Sequence, residues 1–589
     1  MRVLVCWMLG LVGWVCAQPN VVFVITDDQG YGDIACHGHP YVKTPHLDKL
    51  VSESVNLDDY HVFPTCSPSR ASILTGHWAN RTGVWHTING RSLLREGEVT
   101  VAEMFKEAGY ATGIFGKWHL GDAYPFRPQD RGFSEVYVHG AGGVGQTPDV
   151  WDNAYFGGGY YHNGKKVRAE GFCTDVFFAE GRRFIRECVK EERPFFAYIS
   201  TNAPHGPLHC PEKYLDLYQG KPARQAAFYG MISNIDENVG SLRAELKSLA
   251  VERDTIFIFT TDNGTATGES VFNAGMRGKK NSEYDGGHRV PFIIHWPGGE
   301  MQSRRHVRTL THAVDVTPTL LDLCGVRGSE GVKFDGVSVK DLMLGKDEGW
   351  PERYLITDSQ RVVDPVKWRK SAVMTQGWRL VNGKELYAIE EDPGQRNDVA
   401  GQHPERVAAM REAYESWWAE LEPSYKNSAA FVLGDAKASE VLLTAHDWIS
   451  ERMPPWNQAG VRGLEKWVCD KVDAYWYVDV KVAGVYELEL RRWPQETQLA
   501  IGAGMAAGAG VPGASRAFRE TKGAAIPVVG AQLLVNGVSV ADFEVNAEDD
   551  CVRKRVHLAE GKQKLGGVFK LASGKQVGVC YLTVRKVEQ

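Results

Sequence analysis

Residues 20–30 read "NVVFVITDDQG", and this stretch decides the fold class. Its apolar, β-branched run favours a strand buried on both faces, and the run ends in Asp27 and Asp28. Two similar strands are predicted in "PFFAYIS" (194–200) and "TIFIFTTDNG" (255–264). Helical patterns alternate with them, such as "VAEMFKEAG" (101–109), where Thr100 and Glu103 predict a capping box. We therefore predict an α/β domain whose central sheet is flanked by helices.

The length and composition of the chain limit the number of domains and the kinds of partner that it can have. Its 589 residues are too many for one core, and its formal net charge of −6 gives no basic footprint for nucleic acid or an anionic membrane. The N-terminal "MRVLVCWMLGLVGWVCAQ" predicts a signal peptide over residues 1–17, and no later run is long enough to span a bilayer. We expect a secreted or periplasmic protein without a membrane span.

Composition shifts predict three parts after the signal peptide. Residues 18–350 form the α/β domain, 351–424 a small α+β subdomain, and 425–589 a β-sandwich-like accessory domain. The Gly/Ala-rich run at 500–515 predicts a flexible loop inside the sandwich. The aromatic segment "EKWVCDKVDAYWYVDV" (465–480) has two interpretations, because Trp and Tyr serve both sandwich cores and sugar-binding faces.

A cysteine stands apart in "PTCSPSRASILTG" (64–76), where no second cysteine is near enough for a disulfide or zinc motif. Ser67 as N-cap and Pro68 as the first helical residue predict a helix that begins here. Cys66 would then lie at a helix N-terminus, which favours an anion, with the Arg70 cation within one turn. The alternative is a buried structural cysteine beside a surface arginine.

Polar side chains follow several predicted strands. Four are oxygen donors at the ends of two strands, and hard oxygen ligands suit Ca²⁺ or Mg²⁺ rather than zinc: Asp27, Asp28, Asp262 and Asn263. Others are cationic or imidazole groups: Lys117 and His119 in "GKWHLG", His205 in "NAPHGP", and Lys280 in "RGKKNSEYDGG". The polar loop "VWHTINGR" (84–91), with His86 and Arg91, either contacts substrate or is ordinary surface.

The pattern C-S-P-S-R-x-x-x-L-T-G at Cys66 resembles the sulfatase family of the alkaline phosphatase superfamily, and the resemblance extends over about residues 19–420. It implies an alkaline-phosphatase-like mixed sheet and a Cys66 that a separate maturating enzyme oxidises to Cα-formylglycine. It also implies one divalent cation at the four oxygen donors and the Cys66 position. Counting back four residues from Tyr284 selects Lys280, rather than the adjacent Lys279, as the sulfate-contacting lysine.

The resemblance implies a role for each remaining group. Arg70 and Lys117 would hold the formylglycine hydrate, and His119 would be the base that lets sulfate leave. His205 and Lys280 would contact sulfate oxygens, and either is a candidate to protonate the leaving alcohol.

We expect hydrolysis of sulfate esters, and an extracellular protein with an appended sandwich favours sulfated carbohydrate as the substrate. Three alternatives stay open. One is a formylglycine-dependent phosphodiesterase or phosphonate monoester hydrolase, and another is a preference for aryl sulfates. The third is a non-catalytic glycan-binding protein, against which the full set of site residues argues.

Overall fold

A computed structural model of the protein describes residues 18–301 and 304–587, so the predicted signal peptide lies outside the described residues. A ten-stranded mixed sheet organises the N-terminal region, in the order β11-β2-β10-β9-β1-β8-β4-β5-β6-β7. The strands of this region are β1 Asn20–Thr26, β2 Val55–Leu57, β3 Tyr60–His61, β4 Ala111–Gly116, β5 Glu135–Val138, β6 Gly159–His162, β7 Lys165–Arg168, β8 Phe195–Ser200, β9 Thr255–Thr261, β10 Phe292–His295, β11 Arg305–Val307 and β12 Thr311–His312. The helices are α1 Pro45–Glu53, α2 Cys66–Thr75, α3 Ala79–Thr82, α4 Val101–Glu107, α5 Cys173–Lys190, α6 Glu212–Leu215, α7 Ala223–Ser248, α8 Asp285–His288, α9 Val316–Cys324 and α10 Lys340–Met343.

Strand β1 lies in the middle of this sheet. β1 pairs in parallel with β8 on one side and with β9 on the other. Val22 and Val24 enter the apolar core on one face, whereas Val21 and Phe23 enter the core on the opposite face. A strand with both faces covered has a nearly continuous apolar run, which here is Val21–Ile25 and is the pattern predicted from the sequence. The predicted α/β fold class is confirmed. The Thr100–Glu103 capping box of α4 is also present.

A small antiparallel sheet follows the α/β domain. Its strands are β13 Leu355–Asp358, β14 Ser371–Thr375, β15 Trp378–Val381 and β16 Glu385–Ala388, and it is covered by α11 Pro404–Leu421. Trp417 of α11 packs edge-to-face on Trp78, with ring centres 6.2 Å apart. Arg379 of β15 donates to Asp285 and Asp59 of the α/β domain at 3.1 and 2.7 Å. The small subdomain is therefore joined to the first domain by both apolar packing and buried ion pairs.

The C-terminal region consists of two further sheets packed around one core. Its elements are β17 Phe431–Leu433, β18 Glu440–Thr444, α12 Gln458–Arg462, β19 Trp476–Val480, β20 Gly484–Arg491, β21 Val528–Val535, β22 Val538–Glu544, β23 Val552–Leu558, β24 Gly561–Leu571, β25 Gln576–Gly578 and β26 Tyr581–Lys586. One sheet has the order β17-β19-β24-β21-β22 with β25 beside β24, and the other has the order β18-β26-β20-β23. The pairing is antiparallel except between β17 and β19, which run parallel. The core of this region extends to Leu93, Phe126 and Trp151, so the sandwich packs on the α/β domain through a continuous apolar contact.

Two predictions about this region have different outcomes. The residues of the aromatic segment 465–480 differ in burial. Trp476 is buried in the sandwich core, while Tyr475 and Tyr477 are only half-buried. The segment 500–515 connects β20 to β21 without forming a helix or strand, and its Ile501 is buried in the sandwich core. The predicted flexibility of this loop stays a prediction, and its far end contacts the α/β domain. Ala514 donates its N–H to the Leu208 carbonyl at 2.9 Å, which holds this segment against the α/β domain. Small side chains allow the two backbones to approach this closely.

Candidate active site

The four predicted oxygen ligands meet at one edge of the central sheet. The parallel register pairs Thr26 with Thr261, so the residues that follow each strand become neighbours. Asn263 donates its side-chain N–H to Asp28 Oδ1 at 2.9 Å, and the Asp28 N–H points to Asp262 Oδ1 at 3.3 Å. All four side chains are buried. Strand register alone therefore produces the cluster that the sequence predicted.

Cys66 lies at the N-terminus of α2, beside this cluster. The helix begins at Cys66 itself, after an extended Thr65, so the prediction of Ser67 as N-cap is wrong by two residues. Ser67 and Pro68 lie in the first turn, where a proline is tolerated because the N–H groups have no intrahelical acceptor. Cys66 is buried, and its Sγ lies within 4.8 Å of carboxylate oxygens of Asp27 and Asp262.

Each predicted cation pairs with one carboxylate of the cluster. Lys117 Nζ lies 2.7 Å from Asp27 Oδ2, and Arg70 Nε lies 2.9 Å from Asp262 Oδ2, with both side chains fully buried. These ion pairs hold both cations at the sheet edge, against the carboxylates that lie beside Cys66.

Lys280, rather than Lys279, reaches the site. Its Nζ lies 2.5 Å from Asp28 Oδ1 and 3.7 Å from Cys66 Sγ. Lys279 is exposed and pairs with Glu269 at 3.4 Å. Burial alone would raise the pKa of Asp28, but the Lys280 charge, together with the hydrogen bonds from Asn263 and Lys280 and other smaller contributions, lowers the pKa below its ordinary value. The lysine that the resemblance selects is therefore the one whose ammonium faces Cys66.

The two predicted histidines lie near different members of the cluster, His205 beside Asp28 and His119 in the field of Lys117. His205 Nε2 is 3.9 Å from Asp28 Oδ2, and burial followed by the Lys280 charge lowers its pKa to about 4. His119 has a left-handed backbone (φ 62°), and its Nε2 lies 2.9 Å from the Thr87 carbonyl. Its Nδ1 is buried without a hydrogen-bond partner. Burial, and next the Lys117 charge, hold the pKa of His119 well below its usual range, so the ring is neutral at pH 7.

The loop 84–91 packs against His119, but its two predicted substrate ligands are engaged within the protein. His86 Nδ1 accepts the N–H of Thr87 at 2.6 Å. Arg91 donates from Nε to the Val363 carbonyl at 2.8 Å and from Nη1 to Ser428 Oγ at 3.0 Å. Both side chains are buried. The contact of His86 and Arg91 with substrate stays a prediction.

The residues at the sheet edge fit a hard divalent cation. Asp27 Oδ1 and Asn263 Oδ1 are buried oxygens without a hydrogen-bond partner, which a cation would satisfy. Burial, and next the Asp262 charge, raise the pKa of Asp27 to about 8 although the Lys117 ammonium opposes the rise, as expected where buried carboxylates crowd together. A second grouping, His61 with Asp285 and His288, does not fit a cation. Its two imidazoles contact each other at 2.8 Å, and Arg379 lies 3.1 Å from His61.

Two residues near the site were missing from the sequence-based set. His139 follows β5, a parallel neighbour of β4, and its fully buried ring carries an Nε2 without a partner. The strand-end rule that selected Lys117 would also have selected it. His446 comes from the C-terminal sandwich, and its ring centre lies 6.1 Å from that of His119. No local pattern in the sequence relates His446 to this site.

Known proteins resemble a large part of the chain, including the sheet edge that carries Cys66. A family model described as Sulfatase matches residues 19–326, just over half of the chain, and a second, for the C-terminal region of N-sulphoglucosamine sulphohydrolase, matches residues 278–416. Arylsulfatase J of Mus musculus is 27% identical over 63% of this chain and 65% of its own length. N-acetylgalactosamine-6-sulfatase of Canis lupus familiaris is 30% identical over 56% of this chain and 66% of its own length. The match thus spans slightly less than two thirds of either curated relative.

A solved structure is similar as well. The crystal structure of Ps i-CgsB in complex with k-i-k-neocarrahexaose superposes with a TM-score of 0.62 at 26% identity. The superposition covers 68% of this chain and 92% of the other.

Proposed function

The chain belongs to the sulfatase family, and from this premise we propose that it hydrolyses sulfate esters in the pocket around Cys66. The observation that carries the proposal is the Lys280 ammonium, 3.7 Å from the sulfur of a cysteine in the first turn of a helix. Arg70 and Lys117 add two buried positive charges beside it. Such a pocket attracts a monoanionic ester and stabilises the charge that develops on its oxygens.

The proposed nucleophile is Cα-formylglycine, made from Cys66 by a separate maturating enzyme. As a hydrate it supplies two hydroxyls on one carbon, one to attack sulfur and the other to release sulfate afterwards. The chain's own contribution is orientation, because the helix N-terminus and the fixed cations Arg70 and Lys117 hold an oxyanion at this position.

The proposed cofactor is one divalent cation, Ca²⁺ or Mg²⁺. Asp27, Asp28, Asp262 and Asn263 would hold it together with the Cys66 position, and the two orphaned oxygens support this set. When bound, such a cation neutralises sulfate charge and polarises the attacking oxygen.

Three residues are proposed to move or hold protons. The neutral ring of His119 can accept one, and its unpartnered Nδ1 supports that role. Lys280 and His205 are the two candidates to protonate the leaving alcohol. Lys280 keeps its charge because, although burial lowers its pKa, the negative groups around it, with Asp28 foremost, together raise that pKa by more. His205 directs Nε2 to the Asp28 side of the pocket.

A leaving-group series separates these two candidates. The residue that protonates the alcohol matters most when the alcohol is a poor leaving group. For its Ala variant we expect a loss of kcat/KM that is larger on a sugar sulfate than on 4-nitrophenyl sulfate. The variant of the other residue should lose the same factor on both esters.

The proposed substrate is a sulfated carbohydrate. This is supported by a relative named N-acetylgalactosamine-6-sulfatase and by a similar structure solved in complex with k-i-k-neocarrahexaose. Secretion or a periplasmic location is part of the same proposal. No helix in the described part of the chain has the length and apolar character needed to cross a bilayer.

Two measurements on protein from its own host test the proposed function. Mass spectrometry of the Cys66 peptide should detect the aldehyde, and sulfate release should be measured on 4-nitrophenyl sulfate and sulfated sugars. A phosphate diester with the same leaving group is the control. Unmodified thiol with no turnover of any sulfate ester would contradict the proposal. A clear preference for the diester would favour the phosphodiesterase alternative.

A further inference from the structure

A groove on the outer face of the accessory domain combines free ammonium groups with tyrosine rings. It has a cavity volume of about 380 Å³, and its lining includes Lys426, Ser428, Tyr477, Asn536, Lys562 and Lys564. We call it the lysine–tyrosine groove. None of its lining residues is a carboxylate.

Strand register brings the groove's side chains onto one face. β19 and β24 are antiparallel, with Tyr477 opposite Lys564, and alternate residues of each strand share that face. Lys564 Nζ lies 4.3 Å from the ring centre of Tyr475 and 5.6 Å from that of Tyr477. The two rings pack edge-to-face with centres 5.2 Å apart. The groove thus has an aromatic wall with a cation on it, a combination that suits an anionic ring compound.

The groove's lysines differ from other basic residues of this domain. Lys481 pairs with Asp479 at 2.9 Å, and Lys570 pairs with Asp542 at 2.6 Å. Within the described residues, Lys426, Lys562 and Lys564 have no carboxylate partner, and Lys562 contacts only the Asn427 amide oxygen, at 3.0 Å. Asp479 stands opposite Lys562 across the strands, but its carboxylate is paired with Lys481. On a chain with a net charge of −6, three ammonium groups in one cavity without an ion pair among the described residues form a local anion-binding surface.

The groove is tied to the loop that packs on the active site. Ser428 of the groove accepts a hydrogen bond from Arg91 Nη1 at 3.0 Å, and Arg91 ends the loop 84–91. Thr87 of the same loop contacts His119 through its carbonyl at 2.9 Å. The groove and the active site are therefore connected through the loop 84–91.

We propose that the lysine–tyrosine groove binds a linear sulfated polysaccharide outside the catalytic pocket, with sulfates on the lysines and a sugar ring against Tyr477. The inference rests on the proposed function for its choice of a sulfated sugar over another polyanion. Its binding step is independent of catalysis and is measured separately.

The binding test uses the full-length Cys66→Ala protein, which binds without turnover. Dextran sulfate is the probe, unmodified dextran controls for the sugar, and oligodeoxythymidylate controls for an unrelated polyanion. We expect the double variant Lys562→Gln/Lys564→Gln to bind dextran sulfate about tenfold more weakly at low salt. The matched double variant Lys554→Gln/Lys586→Gln removes the same charge from exposed lysines on the other sheet and should bind like the parent.

A third variant, Tyr477→Leu, tests the aromatic wall and should also weaken binding. Equal binding of the two double variants, equal binding of sulfated and plain dextran, or no binding by the parent would each overturn the proposal. Tighter binding of the oligonucleotide would instead assign the groove to nucleic acid.

The catalytic test uses matured enzyme. The groove variant should raise KM for a sulfated polysaccharide about tenfold and leave kcat/KM for 4-nitrophenyl sulfate unchanged. An enzyme that releases sulfate from no ester would refute the proposed function, yet the binding result would stand. If the enzyme is active but the Lys562→Gln/Lys564→Gln variant has the same KM for the sulfated polysaccharide as the parent, the groove proposal alone is refuted.

Discussion

The active-site pocket has two parts that are built differently, a centre and a rim. The centre comprises Cys66, the oxygen ligands and their cations, all carried by the α/β domain. The rim comprises the loop 84–91 and two contacts from the sandwich, at His446 and Gly513. In the centre, strand register and buried ion pairs set the positions. In the rim, positions depend on how two domains pack.

Backbone contacts from the sandwich hold the rim. The Asn89 N–H donates to the His446 carbonyl at 3.0 Å, and Ala514 donates to Leu208, three residues from His205. An ion pair inside one sheet edge survives small shifts between domains, whereas these contacts do not. We therefore expect substitutions in the centre to reduce kcat/KM severely and substitutions in the rim to reduce it moderately.

The largest expected effect is that of Cys66→Ala. Cys66 is the proposed source of the nucleophile and lies 3.7 Å from Lys280, so kcat/KM should fall by about 10⁴-fold or more. Sulfate release from 4-nitrophenyl sulfate measures it. Cys36→Ala, which changes an exposed cysteine, should leave activity unchanged. Substantial turnover by the Cys66 variant would place the nucleophile elsewhere.

Lys280→Ala should have the next largest effect. Removing a preorganised charge from the site costs about 10²- to 10³-fold in kcat, and the loss leaves Asp28 unpaired. Lys279→Ala is the matched control, because that exposed lysine meets only Glu269 and should change kcat by about twofold at most. Equal losses in the two variants would refute the assignment of Lys280 to the centre.

Gly142→Ala tests the boundary between centre and rim. A Cβ at this position would lie 2.2 Å from His119 Cε1 and 2.3 Å from Nε2, so the imidazole must move. A displacement of this size should cost about 10²-fold in kcat/KM with little change in melting temperature. Gly97→Ala is the control, since nothing lies within 4 Å of its Cβ. An active Gly142→Ala enzyme would contradict the proposed role of His119.

Most of the centre could be predicted from the sequence because its geometry is local. Parallel strands bring their carboxyl ends together, so Asp27 and Asp262 could be paired from two short patterns. The start of α2 was misplaced because Thr65 and Ser67 are both good N-cap residues, and only the backbone decides between them. The choice between Lys279 and Lys280 needed the resemblance, since side-chain direction in an irregular loop follows no period.

The residues of the rim could not be predicted from the sequence, because their positions depend on how the sandwich packs on the α/β domain. His446 approaches His119 only because the sandwich docks on Leu93, Phe126 and Trp151, and no spacing along the chain encodes that contact. The small residues of 500–515 suggested a flexible loop, yet the same smallness lets this backbone lie against Leu208. The composition of such a segment indicates how much conformational freedom its backbone has, but it does not indicate which part of the protein the segment will contact.

The smallest effect is expected for Gly513→Ala, which acts on the rim alone. Gly513 has a φ of 139°, and a Cβ there would lie 2.4 Å from the Leu208 carbonyl oxygen and 2.7 Å from His209 Cα. The clash pushes the sandwich segment away from the loop that carries His205, and kcat/KM should fall about tenfold at most. Gly510→Ala meets only ordinary contacts at 3.7 Å and serves as the control. A loss as large as that of Gly142→Ala would make the sandwich part of the catalytic centre. Identical kinetics for the two glycine variants would mean that His205 keeps its position without the sandwich.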